Sequence, residues 1–162
     1  LAQPAPGVTT TFSASNMGGA YDSIEGVVGT RFGDTLRGSS VSDIINGGAG
    51  NDTLWGMGGN DTFRFTESGA THRDTIRDYA AAGGVGDRLD LSALLDANFG
   101  AGSVQSEFVR LQTSGTDVLV QVDTNGSAGG TGWTDVAVLQ NYGTAGNQVL
   151  VEFENQVRTL TV

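Results

Sequence analysis

Four aspartates, Asp34, Asp43, Asp52 and Asp61, recur every ninth residue without a slip, and this interval constrains the chain more than any other feature. Two positions after each stands an apolar residue: Leu36, Ile45, Leu54 and Phe63. Five positions before each stands a glycine: Gly29, Gly38, Gly47 and Gly56. The cleanest unit is Gly47-Gly48-Ala49-Gly50-Asn51-Asp52-Thr53-Leu54-Trp55. The next, residues 56–64, has Met57 in place of one glycine. Upstream units are worn: residues 38–43 keep only the outer glycine and the aspartate, and Glu25 stands where an earlier aspartate would fall.

A triplet with one central apolar residue is too short for any regular element but a strand, and it supplies one core layer per repeat. The six residues between triplets must turn. Glycine there permits left-handed backbone angles and leaves carbonyl oxygens uncovered, so each loop can offer several carbonyls and one carboxylate to a cation. Strands this short cannot stand alone, so successive coils must stack. Alternate triplets then share a sheet, 35–37 with 53–55 and 44–46 with 62–64.

Charge points the same way. The chain has 18 acidic and 8 basic residues, a net charge of −10, which disfavours nucleic acid and anionic membrane as partners and favours cations. Of the acids 13 are aspartate, the shorter carboxylate that suits turns and metal loops. Cysteine is absent, so neither a disulfide nor a thiolate is available. No run of 18 apolar residues exists, so no membrane insertion is expected. Leu1 to Pro6 lack the charged start and apolar core of an export signal. The chain opens on Leu1, and Ala2 to Gly7 reads as a linker, which suggests a piece of a larger protein. The expected division is a linker and lead-in strand over 1–20, then one domain over 21–162.

Beyond Phe65 the period fails. Asp74 to Tyr79 and Asp87 to Leu91 form two acid-flanked apolar strips, and a short helix is expected over Ser92 to Asn98, capped by Asp90 or Ser92. From Val104 the pattern changes to longer alternating strands: 108–112, 118–122, 136–140, 149–153 and 157–162. These read as an antiparallel cap over the open end of the stack.

The repeats resemble the repeats-in-toxin (RTX) nonapeptide, Gly-Gly-x-Gly-x-Asp-x-apolar-x, which residues 47–55 match at every specified position. The flanks at 24–29 and 74–95 are similar to those of that family's C-terminal domains, and 117–139 to the corresponding region of type I secreted adhesins. The resemblance implies an all-β fold: a right-handed parallel β-roll of nonapeptides over about 26–65, an antiparallel cap with the secretion signal over about 66–162, and at most one short helix. It implies roughly two to four calcium ions held between loops 18 residues apart, Asp34 sharing one with Asp52 and Asp43 another with Asp61. Backbone carbonyls would come from Gly29, Arg31, Gly38, Gly47, Gly48, Ala49, Gly50, Gly56, Gly58 and Gly59. Asp74, Asp78, Asp87 and Asp90 are candidates to complete a site against the loop holding Asp61, or one of their own. Ser39-Ser40-Val41 lack glycine, so the Asp43/Asp61 site is expected to be weaker or to carry a water in place of a carbonyl.

The implied function is a non-catalytic module that folds on meeting extracellular calcium and carries the uncleaved type I secretion signal of a larger exported protein, such as an adhesin or protease. Its partners would be calcium and the inner-membrane ABC transporter complex of the export machinery. Its place would be outside a Gram-negative bacterium or on its surface, with any polysaccharide or surface ligand reached through the parent region. The alternative is a polysaccharide-binding accessory module similar to the β-rolls of alginate epimerases. Serralysin-type proteases carry such rolls behind a zinc domain, but the single histidine, His72, cannot supply a His-Glu-x-x-His helix. Asp123-Thr124-Asn125-Gly126-Ser127 opens like an EF-hand loop yet lacks the sixth-position glycine and twelfth-position glutamate, so a hairpin is expected. Trp55, Trp133, Tyr79 and Tyr142 are expected in core or cap rather than on a sugar platform.

Overall fold

The computed structural model describes residues 11–13, 26–100, 103–126 and 132–162. Most of the expected linker and Glu25 lie outside the described residues, as do positions 127–131 of the loop after Asp123.

Strands form where the triplets fall: β3 (Thr35–Arg37), β4 (Ile44–Asn46), β5 (Thr53–Trp55) and β6 (Thr62–Arg64). They alternate between two sheets, β3 pairing parallel with β5 and β4 with β6, as an 18-residue coil requires. On one side β1 (Thr11–Ser13) and β2 (Gly26–Val28) extend the two sheets. On the other, β7 (Asp74–Ile76) and β10 (Arg88–Asp90) each add a parallel strand after the period has lapsed. Between these lies a small antiparallel hairpin, β8 (Ala81–Ala82) with β9 (Val85–Gly86), which the sequence pattern did not signal.

The cap is antiparallel within itself but is joined edge to edge. The meander β11 (Val109–Ser114), β12 (Asp117–Val122) and β13 (Thr134–Leu139) attaches through β13 running parallel to β7. The hairpin β14 (Gln148–Phe153) and β15 (Gln156–Thr161) attaches through β14 running parallel to β10. The cap therefore prolongs both sheets instead of lying across their end, and the backbone groups along the edges of β7 and β10 find partners.

Register turns the apolar column into continuous core layers. Leu36, Leu54, Ile76, Leu139 and Val118 stand opposite one another across one sheet; Ile45, Phe63, Leu89 and Val151 do so across the other, and all are buried. The helix is one turn, Ser92–Leu95, shorter than the sequence suggested. Its capping position is Leu91, which offers no side-chain acceptor; Asp90 Oδ1 accepts the Ser92 N–H instead. A single 3-10 turn at Gln105–Glu107 precedes the meander. Among the described residues no helix is long and apolar enough to cross a membrane.

Candidate metal centre

The strand triplet positions each aspartate. Its inward neighbour two residues on is locked into the core, so the carboxylate at the preceding inward position is carried under the adjacent coil. Asp34, Asp43, Asp52 and Asp61 are at most 3% exposed. They form two ladders, one at each corner of the roll. At the first, Asp34 N–H donates to Asp52 Oδ1 (2.7 Å), and Asp52 N–H donates to Asp74 Oδ1 (2.9 Å). At the second, Asp43 N–H donates to Asp61 Oδ1 (2.9 Å), and Asp61 N–H to Asp87 Oδ1 (3.0 Å). The ladders stop where Ala137 pairs with Asp74 and where the strand beyond β10 brings Val149 to the inward position.

Asp74 and Asp87 thus extend the two ladders by one carboxylate each, Asp74 beneath Asp52 and Asp87 beneath Asp61. Asp78 lies elsewhere, accepting the Gly56 and Met57 N–H groups, each at 2.9 Å. Asp90 is turned to the outside of β10, in an ion pair with Arg64 Nε at 2.8 Å.

Four loop glycines, Gly29, Gly38, Gly47 and Gly56, leave no room for a Cβ. A Cβ on Gly47 would stand 2.1 Å from Asp52 Oδ2, and one on Gly56 would stand 2.2 Å from Asp61 Oδ2. A Cβ on Gly29 would meet the Gly47 carbonyl oxygen at 2.1 Å, and one on Gly38 the Gly56 carbonyl oxygen at 2.6 Å. The Thr30 and Ser39 carbonyls accept the Ala49 and Gly58 N–H groups, each at 3.0 Å. Gly50 and Gly59 pack with φ of 122° and 110° against the backbone of residues 32–33 and 41–42. Arg31 is exposed, its guanidinium 5.3 Å from the Phe32 ring.

One atom decides whether a cation fits. Asp52 Oδ2 is buried and has no hydrogen-bond donor, the costly state for a carboxylate oxygen. The carboxylates next to Asp52 in its ladder, Asp34 and Asp74, are oxygen donors of the kind that suits a hard divalent cation. Among the described residues no three acidic or histidine side chains converge, so any ion here would depend on main-chain oxygens as well as paired aspartates.

Electrostatics agree. Burial pushes Asp52 up to about 6, with Asp34 opposing its charge, although hydrogen bonds to the carboxylate pull the other way. Burial likewise raises Asp61 to about 7, with Asp87 and Asp43 adding to it, and Asp74 to about 8, with Asp52 adding. Asp87 is raised by burial too. Burial also acts on Asp90, but its bonds to Arg64 and Ser92 outweigh it and hold the group below the usual range. With no cation, the folded form therefore keeps protons that the unfolded chain releases near pH 4. The stability they lend is complete below that pH and is lost as pH rises through about 6 to 8. In calcium-stripped buffer the melting temperature is expected to fall between pH 5 and 8, while calcium affinity rises over the same window because the ion displaces those protons. Thermal melts that stay level across this range in the absence of calcium would contradict the assignment.

Residues 28–63 match the model of the RTX calcium-binding nonapeptide repeat in four copies. Residues 28–63 are RTX repeats. Repeats of this kind bind calcium, belong to a non-catalytic kind of module and are typical of secreted bacterial proteins. Among solved structures, the chain is similar to the AlgE6R3 subunit of the Azotobacter vinelandii mannuronan C5-epimerase, at 29% identity over 71% of this chain and 69% of that one, with a TM-score of 0.47. It is also similar to the C-terminal domain (RV) of MpAFP, at 23% identity over 84% of this chain and 98% of that one, with a TM-score of 0.36. No curated protein matches it.

Beside the RTX repeats, the remaining motifs have ordinary roles. His72 Nδ1 lies 3.1 Å from Glu67 Oε2 and accepts the Gly50 N–H. Tyr79 is buried, edge-on to Tyr142 at 5.1 Å, and both hydroxyls bond to backbone. The Trp55 ring carries the Arg37 guanidinium at 4.0 Å and the Trp133 ring carries Arg110 at 4.4 Å, so each has a face already occupied. Asp123 is buried where β12 ends, its Oδ1 accepting the Asn125 N–H.

Met57 is the exposed exception inside an RTX loop, with φ of 74° where the consensus has glycine. A left-handed side chain costs about 1–2 kcal/mol, and glycine returns part of that as unfolded-state entropy. Met57→Gly is expected to raise stability by about 0.5–1 kcal/mol in chemical denaturation with calcium present. A loss of stability would mean that the contact of Met57 with Arg37 outweighs the strain.

Proposed function

We propose that this chain is a calcium-dependent folding module and that it carries the C-terminal type I secretion signal of a larger exported bacterial protein. The observation that carries the reading is the buried, donor-free Asp52 Oδ2 at the centre of a carboxylate ladder. The oxygens available to the ions are those of Asp52 and Asp74 at one corner and Asp61 and Asp87 at the other, with loop carbonyls between. Two to four ions would be held.

When bound, calcium supplies the positive charge that these corners lack. The chain does the rest. Without it, stacked carboxylates repel one another across a poorly solvated gap, and glycine-rich loops favour the unfolded state. Calcium sites of extracellular modules have Kd of about 10⁻⁴–10⁻³ M, so they stay empty in a cytosol poor in free calcium. Outside, calcium at about ten times Kd contributes on the order of 1.4 kcal/mol per site. Several sites together are comparable with the ~5–15 kcal/mol net stability of a domain. The chain would cross the export channel unfolded and fold on arrival, its signal lying in the last strands, β14 and β15.

Two measurements test this. Far-ultraviolet circular dichroism is expected to show a β signal that grows from chelator to millimolar calcium; an unchanged spectrum rejects the folding switch. A reporter fused ahead of the chain is expected in the medium of cells expressing a type I exporter; export that survives deletion of residues 148–162 rejects the placement of the signal.

A further inference from the structure

The four nonapeptides differ at their second position, and that position decides what the aspartate four residues later can bind. In the two upstream coils it is Thr30 and Ser39; in the two downstream coils it is Gly48 and Met57. Gly48 and Met57 adopt left-handed backbone, with φ of 87° and 74°, whereas Thr30 and Ser39 do not. The difference in handedness redirects the local N–H. Thr30 N–H points at its own aspartate, Asp34 Oδ2, at 2.6 Å, and Ser39 N–H does the same to Asp43 Oδ2 at 2.6 Å. Gly48 N–H turns away to Asn46 Oδ1 and Met57 N–H turns away to Asp78 Oδ2.

The hydroxyls complete the contrast. Thr30 Oγ1 donates to Asp34 Oδ2 at 2.8 Å, and Ser39 Oγ donates to Asp43 Oδ2 at 2.9 Å. Each hydroxyl is fixed from behind by the N–H two residues on, Phe32 at 3.2 Å and Val41 at 3.3 Å. The outer oxygens of Asp34 and Asp43 thus each have two internal donors. Asp52 Oδ2, in a side chain 2% exposed, has none. A cation competing for the upstream oxygens must break a pair of charge-assisted hydrogen bonds, while at Asp52 it meets an acceptor that nothing else satisfies.

We infer that the hydroxyls of Thr30 and Ser39 stand in for calcium at the upstream carboxylates, so that ion binding is confined to the downstream coils of Asp52 and Asp61. This rests on the calcium-binding reading above and divides the roll into a hydroxyl-sealed entry that is ion-independent and an ion-dependent centre. It departs from the expectation that Asp34 and Asp43 each share an ion with the aspartate 18 residues on. Their Oδ2 atoms serve the loop, and what they share with the next coil is the main-chain N–H donated to it.

The test is equilibrium dialysis of the whole chain against calcium, counting bound ions. Asp34→Asn and Asp43→Asn are expected to keep the wild-type count, and Asp52→Asn and Asp61→Asn each to lose an ion. Thr30→Gly combined with Ser39→Gly removes both hydroxyls and frees the backbone to turn left-handed, and is expected to gain bound calcium. Because that variant gains a property, its outcome does not depend on whether the aspartate variants fold. Equal losses from Asp34→Asn and Asp52→Asn, or a wild-type count in the double glycine variant, would overturn the division between coils and leave the calcium reading standing. A chain that takes up no calcium overturns both.

Discussion

Gly47→Ala is expected to destabilise the protein by about 3–5 kcal/mol and to abolish calcium uptake at the corner it adjoins. The added Cβ would stand 2.1 Å from Asp52 Oδ2 and 2.8 Å from Asp52 Cγ, a clash with the middle of a fixed carboxylate, not with a flexible tip. Relief requires the Asp52 side chain to swing away. That motion also strips the acceptor from the buried Asp34 N–H, now bonded to Asp52 Oδ1 at 2.7 Å. Overpacking costs about 1–3 kcal/mol, and an unsatisfied buried donor about 1–3 kcal/mol more. Gly100→Ala is the control, since its Cβ would meet nothing within 4 Å and its φ is not left-handed. Urea denaturation with calcium present separates them; equal stability of the two variants would show that the loop yields.

Phe63→Ala is expected to cost about 3–5 kcal/mol for a different reason. Phe63 is the largest side chain in the inward column, fully buried between Ile45 and Leu89 in the six-stranded sheet. Each coil supplies one such layer, so the void cannot be refilled by a neighbour on the same strand. The loss should appear with calcium saturating. A cost below about 1 kcal/mol in the same denaturation assay would mean that the coils collapse around the gap, and that layer packing is not what holds the roll.

The legible part of the fold is the part with a fixed period. Leu36, Ile45, Leu54 and Phe63 placed four strands and both sheets because a nine-residue repeat, half of an 18-residue coil, offers one register only. The cap strands were legible from alternation, but their attachment was not: nothing local in β13 or β14 says that they run parallel to β7 and β10. The ladder's continuation was legible only as four candidates, Asp74, Asp78, Asp87 and Asp90, because loop length blurs the interval. Asp74 and Asp87 follow their upstream partners by 22 and 26 residues instead of 18, so the interval alone does not set them apart from Asp78 and Asp90. A signal was nevertheless present, since Asp74-Thr75-Ile76 and Asp87-Arg88-Leu89 repeat the Asp-x-apolar triplet of the nonapeptides. The hydroxyls of Thr30 and Ser39 went unnoticed for a related reason. In sequence they register only as missing glycines, and their hydrogen bonds depend on a backbone handedness that one residue type permits and another resists.

The central claim is that carboxylates one 18-residue coil apart, recurring at every ninth residue on alternate corners, meet across adjacent coils to hold divalent cations. A crystal grown in millimolar calcium, with anomalous scattering recorded from that element, tests it most directly. The account predicts an anomalous peak beside Asp52 Oδ2, bounded by loop carbonyls. An ordered roll with no peak at that oxygen, or with the Asp52 carboxylate turned out to solvent, would contradict it.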